Sequence, residues 1–295
     1  MLRGIATVVL LLLNLVLWGT PIFLGGIVKF LMPGRRRVPV VNFLVRLGEK
    51  FVEGNNRILD TMLKTEWDVS GVDVDRYDGH YLIVSNHISW VDIFVLFRIF
   101  HGRAPLIRFF LKHELIWAPF VGQGCWALDF PFMKRYSPEY LEAHPEKRGE
   151  DLATTRRACR KYRKVPVAIA NFLEGTRFTR EKHDDQDSPY RHLLRPRIGG
   201  ISFVLASMGD LLDATFDVTL AYPNGGDTTF WQFITNRVPR IVARVRRVDV
   251  PAEFYDEAVT QPGPVRDRFK AWVEELWREK DAVLEELGKA TSGHP

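Results

Sequence analysis

The sequence predicts an α/β fold: a mixed β-sheet flanked by helices, with an N-terminal hydrophobic membrane helix or two-helix hairpin. Three observations carry that expectation. An uncharged apolar run fills Ile5–Val28. Short β-rich runs recur at Trp67–Val74, His80–Asn86, Val165–Phe172, Phe216–Pro223 and Arg240–Val250. Stretches with helical spacing lie between them, and strands separated by helices argue for an α/β sandwich.

The N-terminal run, IATVVLLLLNLVLWGTPIFLGGIV, has the length of roughly 20 apolar residues that a helix needs to cross hydrocarbon. The apolar core of a signal peptide is shorter, roughly 7–15 residues, with a small-residue cleavage site behind it. Here apolar character resumes after Gly19-Thr20-Pro21 and continues to Met32, which argues against cleavage. Pro21 removes one helical hydrogen bond and crowds the preceding turn. Two readings therefore stand: two short helices in a shallow hairpin, or one kinked span. Lys29 and Arg35-Arg36-Arg37 outweigh Arg3, which places the rest of the chain on the cytoplasmic side against anionic lipid.

Val40–Leu63 carries apolar residues at helical spacing, among them Phe43, Leu47, Phe51, Ile58 and Met62, and reads as one or two amphipathic helices. His80–Asn86 reads as a buried strand and Trp90–Phe100 as a buried helix. Arg156–Lys164 is the basic end of another helix. Arg240–Val250 alternates so as to leave one wetter face. Glu181–Pro189 is a polar surface excursion, and Val265–Leu287 is an amphipathic helix packed on the core as a lid. The tail Thr291–Pro295 is expected to be loose.

The 295 residues suffice for a substantial core, and 46% hydrophobic content excludes general disorder. A net charge of +5 favours anionic partners. Nucleic acid is disfavoured, because the aromatics sit inside apolar runs and not between basic residues. Cys125 and Cys159 form neither a disulfide framework nor a zinc spacing, which fits a reducing compartment.

Several chemical signatures fail. Gly122–Ala127 imitates a dinucleotide loop but lacks a strong preceding strand. The chain has no His-Glu-x-x-His, no Gly-x-Ser-x-Gly elbow and no Walker A loop. Two strings survive. In Asn86-His87-Ile88-Ser89-Trp90-Val91-Asp92, a histidine lies just past a buried strand, where α/β proteins commonly place ligand chemistry. A helical turn after it can bring Asp92 back to one ring nitrogen, leaving the other to accept a proton from a hydroxyl. A capped polar turn is the alternative reading of this string by itself. Trp90 and Val91 are expected to anchor the turn in the core, and Ser85 and Ser89 to be structural. The second string, Asn171–Phe178, turns through Gly175 and presents Glu174, Thr176 and Arg177. A glycine lets backbone amides approach an anion, and an arginine fork matches phosphate oxygens. A charged surface turn is its alternative.

Together these strings resemble the glycerolipid acyltransferases of the lysophosphatidic acid acyltransferase type. Gly122–Arg135 looks like that family's glycine-to-arginine block, and Tyr222–Gly225, preceded by Asp217–Leu220, resembles its last block. Four blocks in order, behind a hydrophobic N-terminus, cover about residues 1–225. The resemblance implies a membrane-anchoring segment over 1–37 and a catalytic domain over 38–295. It implies transfer of a fatty acyl group from acyl-CoA or acyl carrier protein to the sn-2 hydroxyl of 1-acylglycerol-3-phosphate, giving phosphatidic acid. By matching positions, His87 is similar to the general base and Asp92 to its orienting acid, while Arg135, Glu174, Gly175, Thr176 and Arg177 hold the acceptor phosphate. Of these, Arg135 and Arg177 carry the complementary charge, and Glu174 is better suited to positioning the loop. No cofactor or metal is implied. The partners are a lysophospholipid, an acyl thioester and an anionic membrane surface. Bacterial inner membrane is the preferred location, with the endoplasmic reticulum left open.

Leu173 stands where the family commonly has proline, and the string FLEGTRFT looks closer to a branch containing lysophosphatidylinositol and lysocardiolipin acyltransferases. Remodelling of a larger lysophospholipid, such as lysophosphatidylglycerol, is therefore the alternative activity. A non-enzymatic membrane adaptor is the alternative of a different class.

Overall fold

The order of polar and apolar residues builds one sheet with helices on both faces. A computed structural model describes residues 1–134, 136, 138–144, 146, 150–223 and 228–292. The chain begins with α1 (Leu2–Leu31) and α2 (Arg37–Met62), followed by β1 (Glu66–Ser70), β2 (His80–Ser85) and α3 (Val91–Phe100). Next come β3 (Ile107–Phe109), β4 (Leu111–Lys112), α4 (Val121–Ala127), β5 (Phe132–Met133), α5 (Pro138–Ala143) and α6 (Glu150–Tyr162). The last part holds β6 (Val167–Phe172), α7 (Arg180–Asp185), α8 (Ile198–Met208), β7 (Ala214–Ala221), α9 (Phe230–Ile234), β8 (Arg240–Val248) and α10 (Pro264–Ser292).

The main sheet runs β1-β8-β7-β2-β6-β3, and β4 pairs with β5 in a small second sheet. Only β7 and β8 pair antiparallel, so the sheet is mixed. Its centre, β7-β2-β6, is parallel; β2 and β6 end together at Ser85 and Phe172, while β7 passes Val218, the partner of Ser85, and runs on to Ala221. Alternate residues of β2 serve opposite faces, as strand periodicity requires. Tyr81 and Ile83 pack with Val95, Leu96 and Ile99 of α3. Leu82 and Val84 pack with Tyr162 of α6, Val204 of α8, and Phe269 and Trp277 of α10. Both faces of β2 are dry, which explains its uninterrupted apolar sequence.

Helix α1 is one continuous helix of 30 residues with Pro21 inside it, so of the two readings the single span holds and the two-helix reading of this run does not. Thr20 Oγ1 donates to Val16 O at 2.8 Å, supplying a donor next to the turn that proline deprives of one. The helical hairpin forms one step later, between α1 and α2. Asn14 Nδ2 donates to Phe51 O at 2.9 Å and to Asn55 Oδ1 at 3.0 Å across that seam. Gly54 leaves the room, since a Cβ there would lie 2.2 Å from Asn14 Oδ1. A second stripe, including Ile22 and Gly26, packs on α4, but the most apolar stretch of α1 is only 17% buried, so the helix has the length, hydropathy and exposure of a membrane span. A core helix of a soluble protein would be covered.

One further expectation changes in detail, and three strands are new. The polar excursion after Glu181 contains the short helix α7, capped by the Thr179 hydroxyl, which accepts from Lys182 N. Strands β3, β4 and β5 are too short, at three residues or fewer, to register as periodic runs in the sequence.

Candidate active site

The carboxyl ends of β2, β6 and β7 supply the site, in accord with the placement of ligand chemistry in parallel sheets. Asn86 follows β2 and is fully buried. Its Nδ2 donates to Leu220 O and its Oδ1 accepts from Leu220 N, both at 2.9 Å, so one side chain stitches the turn to β7. The next residue, His87, is thereby held at the sheet edge.

His87 Nδ1 lies 2.7 Å from Asp92 Oδ2. The same oxygen accepts from the backbone N–H of Ile88 at 2.6 Å and of Ser89 at 2.8 Å. Asp92 is in the first turn of α3, where a carboxylate also meets the positive end of the helix dipole. Its other oxygen, Oδ1, accepts from the Tyr222 hydroxyl at 2.5 Å. The carboxylate is wholly buried but fully engaged. Burial, with the Asp92 charge beside it, pushes the Tyr222 hydroxyl well above its ordinary pKa, so it stays a donor.

An ionised Asp92 can only accept, so Nδ1 carries the proton and Nε2 is left as the lone-pair nitrogen. Nε2 has no hydrogen-bond partner among the described residues, and the His87 side chain keeps 15% exposure. Phe172, the last residue of β6, stacks on the imidazole at 4.0 Å with 12° between the planes. Phe109 of β3 lies 5.7 Å behind Phe172. The ring is thus fixed by one hydrogen bond at its edge and one aromatic face.

The turn after β6 closes on the same spot. Glu174 Oε1 accepts from His87 N at 2.7 Å, and Oε2 accepts from Leu194 N at 3.1 Å. Glu174 is 1% exposed, and burial pushes its carboxyl up to about 8, against the pull of these two N–H groups. Both of its oxygens serve backbone amides, so this carboxylate holds the loop and does not face a ligand. Gly175 has φ of +68°, a left-handed conformation costing a residue with a side chain about 1–2 kcal/mol. A Cβ there would also lie 2.9 Å from Arg197 Cδ. Leu173, where the family commonly has proline, uses its N–H to bond Ser85 O at 3.2 Å, a bond proline cannot make.

Past Gly175 the side chains turn outward. Thr176 Oγ1 accepts from Lys182 Nζ at 2.9 Å. Arg177 is exposed, with its guanidinium carbon 5.3 Å from the centre of the Trp90 ring. Trp90 is 47% exposed, contrary to the expected anchoring role, because α3 starts there and turns it away from the core, while Val91 is fully buried. Trp90 instead forms a platform for Arg177. These residues border a cleft of about 760 Å³ that reaches Ile88, Ser89 and Tyr222 beside the dyad. Arg177, Arg180, Lys182 and Arg191 line it, and its described lining holds no carboxylate. The cleft is therefore suited to an anion.

Ser89 Oγ accepts from Val91 N at 3.2 Å and Ser85 Oγ donates to Asn86 O at 2.9 Å, so both hydroxyls are committed to the turn. Arg135 lies outside the described residues. No group of three or more metal-binding side chains occurs among those described. Sequence reasoning missed four contributors: Phe172, Lys182, the Asn86 stitch and the Tyr222 hydroxyl. Tyr222 had a signal in its place directly after the β7 run. The stacking of Phe172 had none, since its position beside a strand end reads equally as core.

Comparison with known proteins bears on this arrangement. Residues 66–219, more than half of the chain, match the family described as Acyltransferase. The chain belongs to the acyltransferase family. The matched region includes the His87–Asp92 pair and the Glu174–Arg177 turn and stops two residues before Ala221. Human 1-acyl-sn-glycerol-3-phosphate acyltransferase delta is 27% identical over 186 residues, covering 59% of this chain and 44% of that protein. Lysocardiolipin acyltransferase 1 of Danio rerio is 31% identical over 131 residues, 41% of this chain and 31% of that protein. The chain thus matches less than half the length of these curated relatives. Among solved structures, the 1-acyl-sn-glycerophosphate (LPA) acyltransferase PlsC from Thermotoga maritima shares the fold, with a TM-score of 0.53 at 18% identity, over 96% of this acyltransferase-family chain and 98% of that one.

Proposed function

We propose that this protein transfers a fatty acyl group from a thioester, acyl-CoA or acyl carrier protein, to the sn-2 hydroxyl of 1-acylglycerol-3-phosphate at the cytoplasmic face of a membrane. The observation that carries the reading is the His87 Nδ1–Asp92 Oδ2 contact of 2.7 Å beside a cationic cleft. It supplies a base with a free Nε2 and a place for a phosphate within one site.

In this mechanism Nε2 of His87 takes the proton of the acceptor hydroxyl as its oxygen attacks the thioester carbonyl carbon. Asp92 stabilises the imidazolium that forms. The tetrahedral oxyanion collapses, the carbon–sulfur bond breaks, and the imidazolium returns its proton to the leaving thiolate. Arg177, with Lys182 behind Thr176, holds the acceptor phosphate, and Arg135 is assigned to the same task by its position in the sequence. Glu174 and Gly175 shape the turn that presents them. No covalent acyl-enzyme is required, since Ser85 and Ser89 are bound into the turn. Helix α1 holds the site at the membrane, the preferred location being a bacterial inner membrane.

A second acceptor class has its own support. The 31% identity is to a lysocardiolipin acyltransferase, and Leu173 departs from the common proline. Purified full-length protein, given labelled acyl-CoA or acyl carrier protein and a panel of lysophospholipids, separates these readings. Preferred labelling of 1-acylglycerol-3-phosphate is expected. Preference for a larger lysophospholipid moves the acceptor assignment, and labelling of no glycerolipid contradicts the proposal.

A further inference from the structure

A second hollow, of about 970 Å³, lies where the ends of α1 and α2 meet α4 and α6, apart from the cleft beside the dyad. The two linings share no described residue. Its described lining carries eight lysine and arginine side chains and two carboxylates, Asp129 and Glu150. Those carboxylates are already engaged. Asp129 bridges Lys29 at 2.9 Å and Lys161 at 2.6 Å, and Glu150 takes Lys134 at 3.0 Å. Arg157, Arg160 and Lys164 also line the hollow and pair with no carboxylate among the described residues.

At the inner wall is Arg108 of β3, only 1% exposed. Its Nε donates to Leu128 O at 2.8 Å, and its guanidinium carbon sits 5.2 Å from the Tyr162 ring. Its Nη1 is buried with no hydrogen-bond partner among the described residues. A buried guanidinium with no direct carboxylate and an orphaned N–H is costly, and arginine cannot shed its charge to relieve the cost. The remaining wall is apolar and aromatic, formed by Phe30 at the end of α1, Val38 of α2 and Trp126 of α4.

We propose that this hollow is an anion site that seats a phosphate ester carried on an apolar or aromatic body, with Arg108 as its inner ligand and Arg157 and Arg160 as its outer ones. Two sources share that chemistry: the headgroup of an anionic phospholipid lying beside α1, and a soluble nucleotide phosphate. A headgroup is the better match, because two of the apolar side chains belong to the helices that would meet the bilayer. The site is independent of the proposed reaction, and its binding is measured without turnover.

The test uses full-length His87→Ala protein in detergent, with two probes: labelled phosphatidylglycerol in mixed micelles, against phosphatidylcholine, and adenosine 3′,5′-bisphosphate followed by calorimetry. Arg108→Met reports on the inner ligand but risks misfolding. The Arg157→Gln/Arg160→Gln double variant, on an exposed helix face, carries the decision. An Arg268→Gln/Lys270→Gln variant on α10 removes the same charge elsewhere. Saturable binding of either probe, weakened at least about tenfold by the α6 double variant and not by the α10 one, is expected from the loss of charged hydrogen bonds. The probe that binds names the source. Binding of neither probe, or equal loss in both double variants, overturns the site. Because the protein tested has no catalytic base, these outcomes are read separately from any failure of acyl transfer.

Discussion

The backbone N–H of His87 donates to Glu174 Oε1 at 2.7 Å, so the turn after β2 is tied directly to the turn after β6. The second oxygen of Glu174 reaches Leu194 N, and three segments meet on one carboxylate. Glutamine at 174 offers one carbonyl acceptor, leaving one of two buried N–H groups unpaired at a cost of about 1–3 kcal/mol. Glu174→Gln is therefore expected to lower the melting temperature and the turnover. A pH series adds a second readout. The Glu174 carboxyl rises from an ordinary 4.5 to about 8 on burial, so the folded protein binds this proton more tightly than the unfolded chain. This group's contribution is fully present below about 4.5 and is lost as pH rises through about 8. Wild-type stability should decline over that window, and Glu174→Gln should flatten the decline; an identical slope in both proteins contradicts it.

Tyr222 supplies the only donor to Asp92 Oδ1 among the described residues. Tyr222→Phe keeps the ring and removes that donor, leaving a buried acceptor unpaired at about 1–3 kcal/mol. Turnover is expected to fall by less than in His87→Ala, with a shifted pH–rate profile and little change in acceptor KM. A change confined to melting temperature assigns the hydroxyl to stability alone.

Arg177 borders the cationic cleft and rests over Trp90. Losing a charged hydrogen bond to phosphate costs about 1.5–3 kcal/mol, or roughly 10–150-fold. Arg177→Ala should raise the acceptor KM by that order and leave the donor KM unchanged. Arg177→Lys should recover part of the loss, since it keeps the charge but not the fork. Equal effects on both substrates contradict the assignment.

The strand that leads into Tyr222 is braced from below. Lys280 Nζ of α10 lies 2.7 Å from Asp217 Oδ1 of β7, with both side chains buried, and it also donates to Val218 O. Burial lowers the Lys280 pKa while Asp217 opposes that shift. Removing one member of a buried pair costs about 3–5 kcal/mol. Arg246 still holds Asp217 Oδ2 at 3.0 Å, so Lys280→Met is expected at the lower end. Denaturant unfolding checks this, and a loss under about 1 kcal/mol would show that Arg246 suffices.

Much of this site was legible because its chemistry is local in sequence. Asp92, at the start of α3, returns to His87 across the four residues that separate them, and Gly175 announces its left-handed turn. The sheet was legible where strands are buried on both faces, as in β2. What sequence patterns did not reveal depends on distance along the chain. Asn86 and Leu220 are 134 positions apart, and Phe172 reaches His87 only because β6 happens to pair with β2. The sequence left α1 open between one span and two short helices at Pro21, since its continuity depends on packing between α2 and α4. The like charge of Glu174 and phosphate argues for a loop-positioning role, and the fold turns its carboxylate onto the backbone amides of His87 and Leu194.

Base catalysis by His87 is tested most directly by comparing wild-type and His87→Ala protein with labelled acyl thioester and the preferred lysophospholipid, melting temperatures measured in parallel. A general base contributes about 10²–10⁴-fold, so acyl transfer should fall by that factor while the fold and acceptor binding persist. Acyl transfer at the wild-type rate by folded His87→Ala protein would contradict it.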